Sequence, residues 1–313
     1  MKSSGTTGFD EVSSRFLKEA PDLFAVYITH LINSSIRAST FPEIFKISRI
    51  IPISKPGKPT NSIDSFRPIS NLNSIEKVYE EWIKCNLMEY LNVNEIILEQ
   101  HHGGLPGHST LTAKSMIDYH TGQAWNENQL SVVLSTDLSC AFDTVDHDLL
   151  FQKLRHYGIE NEELKLIQSY FLHRTQYVEI DTKRSKVITC PPCSVIQGSK
   201  LSGIFYTIYT NEVPVLHTLM NCTETMTKLA GEEPMDTNNI DHKVINYVDD
   251  SNSTIMFKDP EKANLYLLKY FKLLESYYNA SKLKLNGEKT NLMVIHRPAL
   301  KEIAQKIELQ TSN

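Results

Sequence analysis

At 313 residues the chain is long enough for one large or two ordinary domains, and its 41% of apolar residues can bury a real core. No apolar run approaches the roughly 18 residues of a membrane span, and the opening MKSSGTTGFDEVSSRFLK lacks the apolar middle of a signal peptide, so an intracellular protein of cytoplasm or nucleus, away from the membrane, is expected. The net charge of −5 excludes a uniformly basic nucleic-acid binder and moves any such claim to local charge.

The elements follow in chain order. An apolar helix is expected over Leu17 to Ile36, then a strand from Ser48 to Ile53 that enters the Pro/Gly loop KPGKP, returns near Phe66, and leads to a helix from about Ser74 to Leu91. Ser131 to Thr136 reads as a buried strand closed by the acid Asp137, and the helix after it stops at Gly158. TQYVEIDTKRSKVITC alternates as a hairpin, and QGSKLSGIFYTIYTNEV reads as an apolar helix with a Gln-Gly entry. Residues 218–242 show no sustained period and are expected to form a surface insertion. Val244 to Val248 and Thr254 to Phe257 read as a hairpin with Asp249 and Asp250 at its tip, and a helix capped by Asp259, with Pro260 in its first turn, follows. Strands and helices alternate without a strict βαβ rhythm, which gives the class α+β.

Five irregularly spaced cysteines fit a reducing compartment, and the CPPC at Cys190 to Cys193 has no second Cys or His pair to complete a zinc site. The carboxylates carry more. Asp137 closes one strand, and Asp249 and Asp250, 112 residues further on, close another. Acids at the ends of two neighbouring strands suit Mg²⁺, a hard ion that takes oxygen ligands and keeps water and substrate phosphates. Taken alone, Asp-Asp also reads as a solvated turn.

The companions of these acids decide between the two. YVDD (Tyr247 to Asp250), TDLSCAFDTVDH (Thr136 to His147), QGSKLSGIFYTIYTNE (Gln197 to Glu212) and PISKPGKPTNSIDSFRPISNL (Pro52 to Leu72) together resemble the reverse transcriptases of non-LTR, LINE-like retrotransposons. The resemblance runs from SSGTTGFDEVSSRFLK to LKLNGEKTNLMVI with the order of the motifs kept. It implies a right-hand polymerase fold, with fingers over about 1–130 and palm over about 131–295, and an RNA-directed DNA polymerase that copies an RNA template from a DNA primer with dNTPs.

The resemblance also implies roles. Asp137 and Asp249 match the aspartates that hold two Mg²⁺ ions, for which Mn²⁺ can substitute, with the Leu138 carbonyl as an extra ligand and Asp250 as the supporting acid. Lys55 and Arg67 match the grip on the incoming triphosphate, a point charge and a fork suited to a polyanion. Phe142 matches the bulky residue under the sugar that excludes a 2′-hydroxyl, Gln197 and Gly198 the helix entry along the nascent base pair, and Lys289 the proton donor to pyrophosphate. Read without the family, Lys55, Arg67 and Lys289 are surface charges and Phe142 a core ring. In HHGGLPGHST, Gly104 and Leu105 stand where the family has an aromatic and an arginine, and Ser194 and Ile196 replace Gly and Pro before the Gln-Gly entry. After residue 295 only a short segment, 296–313, remains, so the expectation is fingers and palm of a longer element protein without its thumb, or a truncated remnant that binds nucleic acid or protein without catalysis.

Overall fold

The computed structural model describes residues 7–59 and 61–308; the first residues of the N-terminal match, Thr60 in the Lys55 loop and the last five residues of the 296–313 segment lie outside them. The chain divides into two compact units. One comprises the chain up to Ile96 together with Val145–Phe205, the other Ile97–Thr144 together with the chain from Tyr206 onward.

The first unit opens with two helices where periodicity predicts one. α1 (Ser14–Glu19) ends at Ala20 and α2 (Pro21–Arg37) begins at Pro21. Ala20 stands at φ −141°, ψ 65°, because the proline ring disfavours the helical conformation of the residue before it and then serves as the first helical position. β1 (Ile47–Ser54) pairs antiparallel with β2 (Phe66–Asn71) and parallel with β4 (Thr175–Ile180), which also carries the short strands β5 (Lys183–Arg184) and β6 (Ile188–Thr189). Three further α-helices belong to this unit, α3 (Ser74–Val93), α5 (His147–His156) and α6 (Asn161–Phe171), and α7 (Ser202–Tyr209) begins in it.

On α3 the buried stripe of Ile83, Leu87 and Leu91 continues upstream through Glu80 and Glu76 at the same helical spacing. Glu76 meets Arg174 at 2.8 Å with both side chains buried, next to a cluster in which Phe41 stacks on Tyr79 and meets Tyr170 edge-on. Burial pushes the Glu76 carboxyl above its usual range against the pull of Arg174.

The second unit is built on an antiparallel sheet in the order β7-β8-β3-β9, formed by β7 (Ile240–Tyr247), β8 (Asp250–Phe257), β3 (Leu130–Thr136) and β9 (Asn291–Ile295). α4 (Thr110–Asn126), opened by a capping box at Ser109 and Thr112, covers one face, where His120 bonds Thr254 at 2.6 Å. α9 (Ala263–Ala280) covers the other, where Tyr270 bonds Ser253 at 3.0 Å. Asp259 caps a short 3₁₀ turn, Pro260–Lys262, before α9 begins. The sheet corrects one expectation: β8 starts at Asp250, so Ser251, Asn252 and Ser253 are strand residues and the turn has only two. Polar residues are tolerated there because each finds a partner, Ser251 and Ser253 on Tyr278 and Tyr270 of α9 and Asn252 across the strands at Ser135, 2.6 Å away.

Residues 213–230 are helical except at the extended Cys222, as a 3₁₀ stretch Val213–Asn221, the short α8 (Thr223–Thr225) and a π turn Met226–Ala230. Met220 and Met226, inside the stretch expected as a surface insertion, are fully buried. Neither a 3₁₀ nor a π repeat matches the 3.6-residue period, so no helical pattern is visible in the sequence. The last described elements are a 3₁₀ turn and α10 (Lys301–Ala304). Among the described residues no helix is long and apolar enough to cross a membrane, and all five cysteines are free thiols.

Buried histidines make this fold less stable as pH falls. Burial lowers His101 to about 4 and also lowers His120, His147, His217 and His242. A histidine depressed in the folded state binds more protons when unfolded, so its contribution is whole above about 6.5 and is lost as pH falls through about 4. For His101 the loss at pH 5 is about 2 kcal/mol. His101→Asn should therefore cost about 2 kcal/mol less at pH 5 than at pH 7.5 in urea unfolding. Equal costs at the two pH values would exclude a neutral buried His101.

Candidate active site

The acids come together in the second unit. β3 and β8 pair from Leu130↔Phe257 to Thr136↔Ser251, so Asp137 leaves the end of one strand where Asp250 opens the other. Both line a cleft of about 520 Å³ with Ser135, Asn252, Glu288, Lys289 and Asn291. Asp249 is the second residue of the β7–β8 turn, between Tyr247 and Asp250, which pair with each other. It does not line that cleft.

Asp137 is fixed by backbone and side chain. Its carbonyl accepts from the Asn286 amide at 2.8 Å, and the Ser139 amide donates to the Lys284 carbonyl at 2.8 Å. Leu138, buried between them, bridges to Leu285. Oδ2 of Asp137 accepts from Lys289 Nζ at 3.0 Å and from Asn286 Nδ2 at 3.3 Å. Asp250 is raised above the usual aspartate value, first by burial and then by the charges of Asp249 and Asp137, while Lys289 pulls it down. Asp249 and Asp137 thus both repel Asp250, and the Lys289 ammonium pairs with Asp137 and draws Asp250 down.

The turn that carries Asp249 is strained. Val248 stands at φ +58°, a region that a β-branched residue rarely enters and where two-residue hairpin turns ordinarily place Gly or Asn. Strain of this kind costs about 1 to 3 kcal/mol and persists only where surrounding structure over-determines it. The surroundings here are Gln100 to Gly103: Asn246 donates to the Gln100 carbonyl at 3.0 Å, and His102 donates to the Asn246 carbonyl at 2.8 Å. Gly103 lies against the turn so closely that a Cβ would stand 2.5 Å from the Val248 amide nitrogen. Neither Gly103 nor Val248 stands out in the sequence, where HHGG reads only as a loop and Val248 as a strand residue.

Phe142, five residues beyond Asp137, is half-exposed and stacks on Tyr206 with centroids 5.1 Å apart and planes at 9°. Burial first, then Tyr278 and Asp249, raise the Tyr206 hydroxyl well above the usual tyrosine range.

Lys55, Arg67, Gln197 and Gly198 belong to the first unit. Lys55 follows β1, its amide bonded to the Ser65 carbonyl at 2.7 Å, and Arg67 lies opposite Ile53, so the β1–β2 hairpin brings both to its loop end. Gln197 accepts from the Ser70 amide at 2.7 Å. Gly198, at φ +116°, approaches Ser70 so closely that a Cβ would stand 2.5 Å from its carbonyl oxygen, which accounts for glycine there. Among the described residues no three His, Cys, Asp or Glu side chains are gathered into a closed metal-binding cluster.

The family model described as reverse transcriptase (RNA-dependent DNA polymerase) matches residues 53–309. The chain is 30% identical over 213 residues to the probable RNA-directed DNA polymerase from transposon BS of Drosophila melanogaster, covering 66% of this chain and 23% of that protein. It is 26% identical over 283 residues to the RNA-directed DNA polymerase from mobile element jockey of the same species, covering 90% of this chain and 29% of that protein. The chain thus spans about a quarter of the length of these curated relatives. Among solved structures, apo telomerase from Candida tropicalis, truncated from the C-terminal domain, superposes with a TM-score of 0.53 at 14% identity, over 88% of this chain and 56% of that one. Telomerase from Candida albicans in complex with a TWJ fragment of telomeric RNA gives 0.54 at 13%, over 86% and 46%. With an α+β chain, a right-hand polymerase fold and a family match over most of its length, this protein belongs to the reverse transcriptase (RNA-dependent DNA polymerase) family, in its non-LTR, LINE-like branch.

Proposed function

We propose that this chain is the catalytic part of a retrotransposon polymerase that copies an RNA template into DNA, extending a DNA primer with dNTPs inside the cell. The observation that carries the reading is the convergence of Asp137 and Asp250 on one cleft, with Asp249 on the adjoining strained turn and Lys289 on the Asp137 carboxylate. The donor set fits a hard divalent cation: the groups are carboxylate oxygens, Asp249 and Asp137 both repel Asp250, and the cleft is open enough to leave places for water and phosphate. Asp137 and Asp249 would hold two Mg²⁺ ions, or Mn²⁺ in their place, with Asp250 and the Leu138 carbonyl in support. When bound, such ions lower the pKa of the primer hydroxyl and neutralise charge on the phosphates.

The protein's own groups do the rest. Asp137 keeps one orientation because Asn286 binds both its carbonyl and its Oδ2. Lys289 can exchange its bond to Asp137 for one to a phosphate oxygen and there deliver a proton to departing pyrophosphate. Lys55 and Arg67, at one hairpin end, offer the point charge and the fork for the triphosphate, and Gly198 lets backbone approach the base pair. Phe142 lies on Tyr206 as a flat wall that a 2′-hydroxyl would meet.

The direct test is incorporation of dTTP on a poly(rA) template with an oligo(dT) primer. We expect extension in Mg²⁺ or Mn²⁺ that stops on chelation and on removal of the RNA. Tight template binding with no incorporation under any divalent ion would instead identify a binding module.

A further inference from the structure

Glu80 has no exposed surface, and its carboxylate is bonded by a turn of the backbone while the charges of Lys77 and Arg174 act on it through space. Oε1 accepts from the Tyr170 hydroxyl at 2.7 Å and from the Ser199 hydroxyl at 2.7 Å, and Oε2 accepts from the Lys200 amide at 3.1 Å. Ser199 Oγ also lies 2.9 Å from the Tyr170 hydroxyl and accepts from the Leu201 amide at 3.0 Å. One helical step on, Glu81 pairs with the Lys200 ammonium. The other side of the same turn is held by β2, through the Ser70 amide on Gln197 and the close approach of Gly198 to Ser70. Burying a carboxylate costs several kcal/mol unless its lone pairs are filled. A surface turn needs no such group, so this one is held to a tolerance that ordinary turn chemistry does not require.

We propose that Glu80 is a positioning residue for nucleotide binding: it clamps Ser199 and Lys200 to α3 and so sets the Gln197–Gly198 backbone against the incoming dNTP. The proposal rests on the polymerase reading, which makes Gln197 and Gly198 the entry beside the base pair. The clamp is directional. All three groups facing Glu80 donate, so a carboxamide in its place keeps the Lys200 amide only by turning its N–H groups toward the Tyr170 and Ser199 hydroxyls, which must then reverse from donor to acceptor. Removing the Ser199 hydroxyl takes away one donor and leaves the Leu201 amide without its acceptor.

The test uses Glu80→Gln and Ser199→Ala in the full chain, with Ile83→Val, on the same buried stripe of α3, as a control for lost stability. We expect KM for dGTP to rise about tenfold in Glu80→Gln and about threefold in Ser199→Ala, with kcat changed less than KM, and amide exchange over residues 198–201 to quicken about tenfold. Ile83→Val should lower the melting temperature and leave KM in place. Ser199→Ala carries the test if Glu80→Gln does not fold. A fall in kcat with KM unchanged in the folded variants, or unaltered exchange over 198–201, overturns the clamp. A wild-type chain that incorporates no nucleotide removes the polymerase reading and the proposal with it, whereas an active wild type with unchanged KM in the variants removes the proposal alone.

Discussion

Asp137→Asn should reduce dNTP incorporation by about a thousandfold or more while the protein stays folded. The side chain is 25% exposed and keeps one oxygen after the change, so Asn286 and Lys289 retain an acceptor and the local backbone remains tied through Asn286. Removing one of the two acids that repel Asp250 even relieves strain on it. What is lost is the charge that would hold a divalent ion against the primer hydroxyl, and with it the alignment of the reacting groups. Asp249→Asn should behave alike and Asp250→Asn should lose less if, as proposed, Asp249 would hold the ion and Asp250 would support it. Single-nucleotide incorporation and melting curves on the three variants check this. Incorporation near the wild-type rate in Asp137→Asn would remove the carboxylates from the mechanism.

Phe142→Ala should raise the ratio of rGTP to dGTP incorporation on an RNA template at least tenfold, equivalent to relief of a clash worth about 1.4 kcal/mol. The ring is half-exposed and lies flat on Tyr206, so it presents a face instead of being sealed in the core. A fully buried phenylalanine would cost about 3 to 5 kcal/mol on truncation, and this one should cost less, about 1 to 2 kcal/mol. The two measurements together separate the roles. A changed sugar ratio with a modest fall in melting temperature marks a steric gate, whereas a large fall with an unchanged ratio marks a core ring and withdraws the role assigned to Phe142.

Much of this architecture is legible without coordinates, because its signals are local. The strand from Ser48 to Ile53 ahead of its Pro/Gly loop, the acid closing Leu130–Thr136 and the long period of Ala263–Ala280 each follow from residues within one element. The break between α1 and α2 was equally available, since Pro21 constrains Ala20 whatever the rest of the chain does.

The tertiary structure alone decides which polar groups are buried. Glu76 and Glu80 continue the apolar stripe of α3, but a helix cannot say whether such acids face water. Their partners Arg174 and Tyr170 lie 98 and 90 residues away, and only with those donors in place is burial of the carboxylates tolerable. Ser251 to Ser253 look like a loop until the tyrosines of α9 and Ser135 of β3 satisfy them and let β8 run to Asp250. The same holds for the site. YVDD and Asp137 were readable as a composition of acids at strand ends, whereas the pairing of Asp137 with Asn286 and Lys289, 149 and 152 residues on, depends on β9 docking beside β3. The left-handed Val248 was invisible for the same reason: a β-branched residue avoids that conformation on its own, and Gln100 to Gly103, far off in sequence, are what hold it there.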